Sequence, residues 1–441
     1  MNTPIFDFVT AYIERSPVRL HMPGHKGCTH FLGEDRDLTE IHGADSLYEA
    51  SGIIAESEAN ASALFGCPTF YSAEGSSQCI RAMLYLAMRH AQSAGKQPKI
   101  LAARNAHKTF LSAAALLGLD VVWLFDAAPS YLSAALSPAA IAATIERERP
   151  TALYLTVPDY LGDLPDLSPI AEICHESGVL LLVDNAHGAY LRFLTPSRHP
   201  IDLGADLCCD SAHKTLPALT GAAYLHVSPA LDALANEARD ALLLFGSTSP
   251  SYLILQSLDL LNPILETLPE RLSSFVSQLD ALKTRLVSSG WTLYGNEPLK
   301  LTLYPKPMGY TGTALARLLE AQGIFCEFAD PDFLVCMFTP ENDETDLVLL
   351  ERALGAIPIL SPIETCPPRP AVPERVCPIR KAMLGTRVVL PYADCLGRVL
   401  ARPDVGCPPA VPILMPGERI DKAALDAFRY YGVDCVSVIP E

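Results

Sequence analysis

Between residues 99 and 227 the chain alternates short, almost wholly apolar runs with segments of helical character. The runs are "KILAA" (99–103), "VVWLF" (121–125), "ALYLTV" (152–157), "VLLLVD" (179–184), "ADLCCD" (205–210) and "AAYLHV" (222–227). A strand that is apolar throughout must be covered on both faces, so this order predicts a mostly parallel sheet flanked by helices. The intervening "SPAAIAATIERERP" places Ser137 at a helix cap and Pro138 in its first turn. "LSPIAEICHESG" repeats the scheme with Ser168 as cap, Pro169 behind it and Gly178 closing the helix. Sheets of this kind take ligands at the carboxyl ends of their strands, which is where chemistry is to be sought.

The 441 residues are enough for two or three domains. Four segments are expected: 1–66, an N-terminal segment with "HMPGHKG"; 67–250, the large α/β domain; 251–365, a smaller α+β domain with "LKLTLYP" and "FLVCMFT"; and 366–441, a Pro-rich joint leading to a short C-terminal domain. An apolar fraction of 49% with 19% charged residues excludes disorder. A net charge of −17 argues against nucleic acid or an anionic membrane as partner, because phosphate binding needs a basic face. Thirteen cysteines without a CxxC pair predict reduced thiols in a cytoplasmic protein and no metal site. The start "MNTPIFDFVTAYIERSP" lacks the pattern of a signal peptide, and no apolar run reaches the length of a membrane span.

Several polar residues stand at the ends of the apolar runs. Lys214, in "DSAHKTLPALTGAAYLHV", is the one basic Lys or Arg among small and apolar neighbours. Desolvation lowers a lysine's pKa and suits it to carbonyl chemistry, although a loop lysine after a strand is the plainer reading. Asp184 ends "VLLLVD", with His187 three residues on; it could cap a turn or hold a protonated ring nitrogen. Gly75, Ser76 and Ser77 open the amphipathic "QCIRAMLYLAMRH", so a helix start with two hydroxyls offers either an ordinary cap or a phosphate seat. Its spacing fits neither a P-loop nor GxGxxG. His107 follows "KILAA" as a cap or as a flat partner for a ring, and Ser247, Thr248 and Ser249 make a polar turn whose hydroxyls could reach a phosphate. Phosphate seat, histidine, strand-end aspartate and strand-end lysine come in the order that a fold-type-I pyridoxal-phosphate enzyme requires.

The same residues make the chain resemble the ornithine/lysine/arginine decarboxylase family. The likeness runs through "LHMPGHKG", "LTEIHGADSLYEASGIIAESEANASALFG", "AEGSS", "RNAHKTF", "VPDYLGDLPDL", "VDNAHGAY", "SAHKTLPALT", "GSTSPSY" and "PPAVPILMPGERI", nearly the whole chain. The resemblance implies an aspartate-aminotransferase-like fold, pyridoxal 5'-phosphate as cofactor and no metal. It implies that Lys214 carries the cofactor's carbonyl carbon, Asp184 pairs with its ring nitrogen and His107 stacks on the ring. Ser76, Ser77, Ser211 and His213 would hold the phosphate, and Thr248 would reach that of a neighbouring subunit in a homodimer or higher homo-oligomer. The implied reaction is decarboxylation of a basic amino acid, arginine or lysine before ornithine. An aminotransferase or a lyase on the same fold, or a silent cofactor-binding regulator, are the competing classes. The chain departs from the family pattern at Asn185, where "DEAHG" is common, at Glu74, where Asn often precedes the GSS, and at Pro217 and Gly221 in the lysine loop.

Overall fold

A computed structural model describes residues 1–28, 32–125, 128, 130–368, 372–403 and 409–441. Its main sheet has seven strands: β1 (Thr69–Ser72), β2 (Lys99–Ala103), β3 (Asp120–Leu124), β4 (Ala152–Thr156), β5 (Leu180–Asp184), β6 (Leu207–Asp210) and β7 (Ala223–Val227). They lie in the order β1-β7-β6-β5-β4-β2-β3. The pairs β2/β3 and β5/β6 are parallel, whereas β7 runs antiparallel to both β6 and β1. Every residue of β5, β6 and β7 is buried, as expected of strands covered on both faces. The mostly parallel α/β sheet read from the sequence is therefore present, with β1 added at its edge.

Helix signals were legible to differing degrees. Ser137 caps the helix Pro138–Glu148 by accepting from the Ala140 amide at 3.4 Å. Ser168 does not repeat that role. It lies inside the helix Ser168–Glu176, and its own amide donates to Asp166 Oδ1 at 3.0 Å. The aspartate two residues earlier thus supplies the local acceptor. Gly178 has φ +62°, consistent with a left-handed residue ending a helix.

The chain separates into two compact units. The first comprises Met1–Pro98, Thr151–Leu155 and Asp166–Arg271. Its aromatic core gathers Phe65, Tyr71 and Tyr224, with centroids 5.1 Å apart for Phe65–Tyr224 and 5.7 Å for Tyr71–Tyr224. Asp259 in the long helix Tyr252–Ser288 accepts the amides of Ile5 and Phe6 at 3.0 and 2.9 Å, anchoring the helix Pro4–Glu14 at its start. Glu58 pairs with Arg239 and accepts the Tyr71 amide at 2.8 Å.

The second unit comprises Lys99–Pro150, Thr156–Pro165 and Leu272–Glu441. It contains an antiparallel sheet of β8 (Thr292–Tyr294), β9 (Lys300–Tyr304), β10 (Phe328–Ala329) and β11 (Leu334–Met337), ordered β10-β11-β9-β8. A two-stranded ribbon, β12 (Val388–Pro391) with β13 (Cys435–Val438), packs on Phe428, Leu400 and Ile420. The motif "ILMPGE" acquires a structural role here. Glu418 accepts both terminal nitrogens of Arg104, at 2.6 and 2.8 Å, and also the Met415 amide at 2.8 Å. Such a fork-on-fork pair fixes direction as well as distance. Arg104 also lies over Trp123 and Phe125. Among the described residues no helix is long and apolar enough to cross a membrane. Replacing Glu418→Ala strands the Arg104 charge and frees the Met415 amide; we expect a loss of about 2–3 kcal/mol, read as a lower urea midpoint. An unchanged midpoint would show that this pair does not anchor the C-terminal segment.

Candidate active site

Asp184 ends β5 with 2% of its surface exposed. Its Oδ2 accepts from the Tyr154 hydroxyl at 3.1 Å, and Oδ1 accepts from the Ala186 amide at 3.2 Å and the Cys209 thiol at 3.6 Å. Burial pushes its pKa up, and the positive charge of Lys214, then these donors, act against that rise. A dry carboxylate at a parallel strand's carboxyl end, facing one lysine, is suited to holding a protonated nitrogen heterocycle.

Lys214 sits half-buried in the short helical turn Ala212–Thr215 that follows β6. Leu216, the residue before Pro217, is extended at φ −120° and ψ 154°, as a residue preceding proline prefers. Pro217 thereby terminates the turn that carries the lysine. Gly221 has φ +101°, and a Cβ there would stand 2.9 Å from Ile254 and 3.1 Å from the Ala73 carbonyl oxygen. Its own carbonyl accepts the Gly75 amide at 2.7 Å. The lysine loop is thus closed against the turn before Ser76 by a contact that leaves no room for a larger residue. Glu74 extends this link, accepting the Ser247 amide.

The hydroxyls of the GSS stand at a helix start. Ser76 and Ser77 begin the helix Ser76–Ser93, and Ser211 donates to Ser76 Oγ at 2.9 Å. Gly75 precedes them at φ +73°, with no atom within 4 Å of where a Cβ would lie. The first turn of this helix carries free-end amides and two hydroxyls, a donor set suited to a phosphate. His213 places Nδ1 2.9 Å from the Ala222 carbonyl oxygen; burial, and secondarily the charge of Lys214, lower its pKa. His187 is buried beside Asp184 in sequence. Thr248 lies exposed in the turn after the helix Asp232–Leu243. His107 belongs to the second unit, where its Nδ1 accepts the Thr109 amide at 3.1 Å and caps the helix Lys108–Leu117. The neighbouring Lys108 amide donates to the Ala410 carbonyl at 2.8 Å.

Sequence reasoning passed over Tyr154 and Cys209, and it passed over the carboxylate that organises the region. Asp210, wholly buried at the end of β6, has Oδ2 3.1 Å from both His199 Nε2 and His226 Nε2. Its Oδ1 accepts from Asn185 Nδ2 at 2.6 Å and from the Cys208 thiol at 3.7 Å. Both imidazoles must carry hydrogen on Nε2 to serve an ionised acceptor. The two histidines hold the Asp210 pKa well below the ordinary range despite burial. Asn185 is thereby explained: an acid at this position would confront Asp210. We expect Asn185→Asp to cost about 3 kcal/mol at pH 8. Two carboxylates sharing one site raise a folded-state pKa, so the folded form takes up a proton that the unfolded form lacks, and stability should recover as pH falls toward 5. Urea midpoints at the two pH values check this; a midpoint equal to that of the wild type at pH 8 would contradict it.

A buried strand-end aspartate beside a lysine on the next strand's loop, in a mostly parallel sheet, defines the class of fold-type-I pyridoxal-phosphate enzymes. Solved structures agree on the fold: lysine decarboxylase A from Pseudomonas aeruginosa matches with a TM-score of 0.81 at 19% identity, over 97% of this chain and 76% of that one. Alanine–glyoxylate aminotransferase from Nostoc sp. matches with a TM-score of 0.55 at 19% identity, over 69% of this chain and 86% of that one. The family model for the Orn/Lys/Arg decarboxylase major domain matches residues 3–302. An arginine decarboxylase of Halalkalibacterium halodurans is 30% identical over 464 residues, spanning 97% of this chain and 93% of that protein. The chain belongs to the Orn/Lys/Arg decarboxylase family, and it is a decarboxylase of basic amino acids.

Proposed function

We propose that the protein decarboxylates a basic L-amino acid with pyridoxal 5'-phosphate, arginine or lysine ahead of ornithine, releasing agmatine, cadaverine or putrescine with carbon dioxide. The observation that carries this reading is the buried Asp184 carboxylate within reach of the Lys214 charge. The donor set fits the cofactor. Asp184 would hold the ring nitrogen, Lys214 the carbonyl carbon, and Ser76, Ser77, Ser211 and His213 the phosphate. His107 is assigned to the ring face, and Thr248 to the phosphate of a neighbouring subunit in a homodimer. Arginine ranks first because a relative aligned over almost its whole length is an arginine decarboxylase.

When bound, the cofactor supplies a carbonyl carbon for the substrate amine and a ring that accepts the electron pair left as carbon dioxide departs. The chain's own residues do the rest. Asp184, shielded from water, would keep the ring nitrogen protonated, and Tyr154 and Cys209 hold that carboxylate in one orientation. The Lys214 amine would hold the cofactor's carbonyl carbon. Asp210 positions the strand end on which the lysine turn is built.

Carbon dioxide release should be measured with arginine, lysine and ornithine side by side, with product analysis. One of the three should yield its amine with stoichiometric carbon dioxide, and Lys214→Ala and Asp184→Asn should each reduce kcat by about a thousandfold or more, the scale on which removing an essential catalytic group acts. Keto acid in place of amine would assign an aminotransferase. Wild-type turnover in Lys214→Ala would remove the lysine from its role.

A further inference from the structure

A pocket lies wholly within the second unit. It encloses ≈ 530 Å³, within the range of small-molecule sites, and Tyr131, Phe328, Tyr430 and Tyr431 contribute aromatic walls. Tyr131 and Tyr431 meet edge-on with centroids 4.7 Å apart, and Tyr430 and Tyr431 likewise at 5.0 Å. Two carboxylates line it, Asp330 in the turn between β10 and β11 and Asp434 at the exposed rim. No described residue lining the pocket is a lysine, arginine or histidine.

Asp330 is the informative group. It is 6% exposed; its Oδ1 accepts the amides of Asp332 and Phe333, each at 2.7 Å, whereas its Oδ2 is buried and accepts no hydrogen bond from the described residues. A carboxylate oxygen left without a donor costs free energy that a ligand N–H would recover. The neighbouring cation, Lys306, is directed elsewhere: it pairs with Asp332 and donates to the Tyr430 hydroxyl and the Thr365 carbonyl. Asp330 and Asp332 both act to raise the pKa of the Tyr131, Tyr430 and Tyr431 hydroxyls, after burial itself, so the field inside is negative.

We propose that this pocket binds an organic cation with N–H donors, an alkylguanidinium or alkylammonium group, which donates to Asp330 Oδ2 while the tyrosine rings enclose it. Negative aromatic faces and an unpaired carboxylate both favour such a cation. Binding rests on the second unit alone. Only the added step, that the amine released by the reaction is the resident ligand, rests on the function proposed above.

Calorimetric titration of the holoenzyme with n-propylguanidinium tests the proposal, since this probe forms no imine with a carbonyl cofactor; n-propylurea serves as the neutral isostere. Saturable binding of one guanidinium per chain is expected, with the urea at least about tenfold weaker, a difference of about 1.4 kcal/mol. Asp330→Asn keeps the Oδ1 acceptor and should weaken the guanidinium about tenfold. Asp434→Asn, at the exposed rim and so without consequence for folding, should weaken it about twofold to threefold, as for a surface charge. Lys214→Ala should bind as the wild type does, whatever becomes of the decarboxylase reading. Absence of saturable binding, equal affinity for the urea, or wild-type affinity in Asp330→Asn would each overturn the site. If Asp330→Asn does not fold, wild-type affinity in Asp434→Asn overturns it instead.

Discussion

The geometry around Lys214 depends on one buried charge. Asp210 carries a full negative charge in a place from which water is excluded, which costs several kcal/mol unless every acceptor position is served. The chain serves it from three separate places: Asn185 just beyond β5, His199 in the following loop, and His226 on β7. Each partner is thereby fixed relative to the end of β6. Ser211 and Lys214 follow that end directly, and Asn185 follows Asp184. A single carboxylate thus sets the relation between the lysine, the strand-end acid and the Ser211 hydroxyl. Loss of any one donor leaves the charge partly unserved, so these partners act as a unit.

Asp184 and Asp210 are neighbouring strand-end acids in opposite electrostatic states. Burial raises Asp184, and the charge of Lys214 is the largest force acting against it. Asp210 is held down by two imidazoles. The contrast separates their surroundings: Asp210 is served by two imidazoles and an amide, whereas Asp184 lies under the charge of Lys214. In the second unit, Arg104 and Glu418 play the organising part. They connect the segment after β2 to the C-terminal "MPGE" turn, while Lys108 reaches the Ala410 carbonyl close to His107 in sequence.

Much of this was legible in the sequence because it is local. Apolar runs gave β2 to β7 within a residue or two at their ends, and the GSS at a helix start is where it was expected. What escaped is of two kinds. β1, "TFYS", is a short edge strand of mixed polarity, and neither its length nor its pattern separates it from a loop. Tyr154, Asn185, His199 and His226 lie 11 to 30 residues from the aspartates they serve, and only the fold brings them together. Ser168 was misread because Ser-Pro fits a cap equally well one position earlier or later, and Asp166 takes the local acceptor role. The departures at Asn185 and Gly221 acquired causes only from contacts: a buried carboxylate facing one, and the Ala73 carbonyl against the other.

The central claim is that Lys214, and no other lysine, carries the cofactor's carbonyl carbon. Borohydride reduction of the holoenzyme followed by peptide mapping tests it directly, because reduction makes the attachment permanent. The account predicts the added mass on the peptide containing Lys214. Finding it on Lys108, Lys300 or Lys306, or on no lysine of a protein that retains cofactor absorbance, would contradict it.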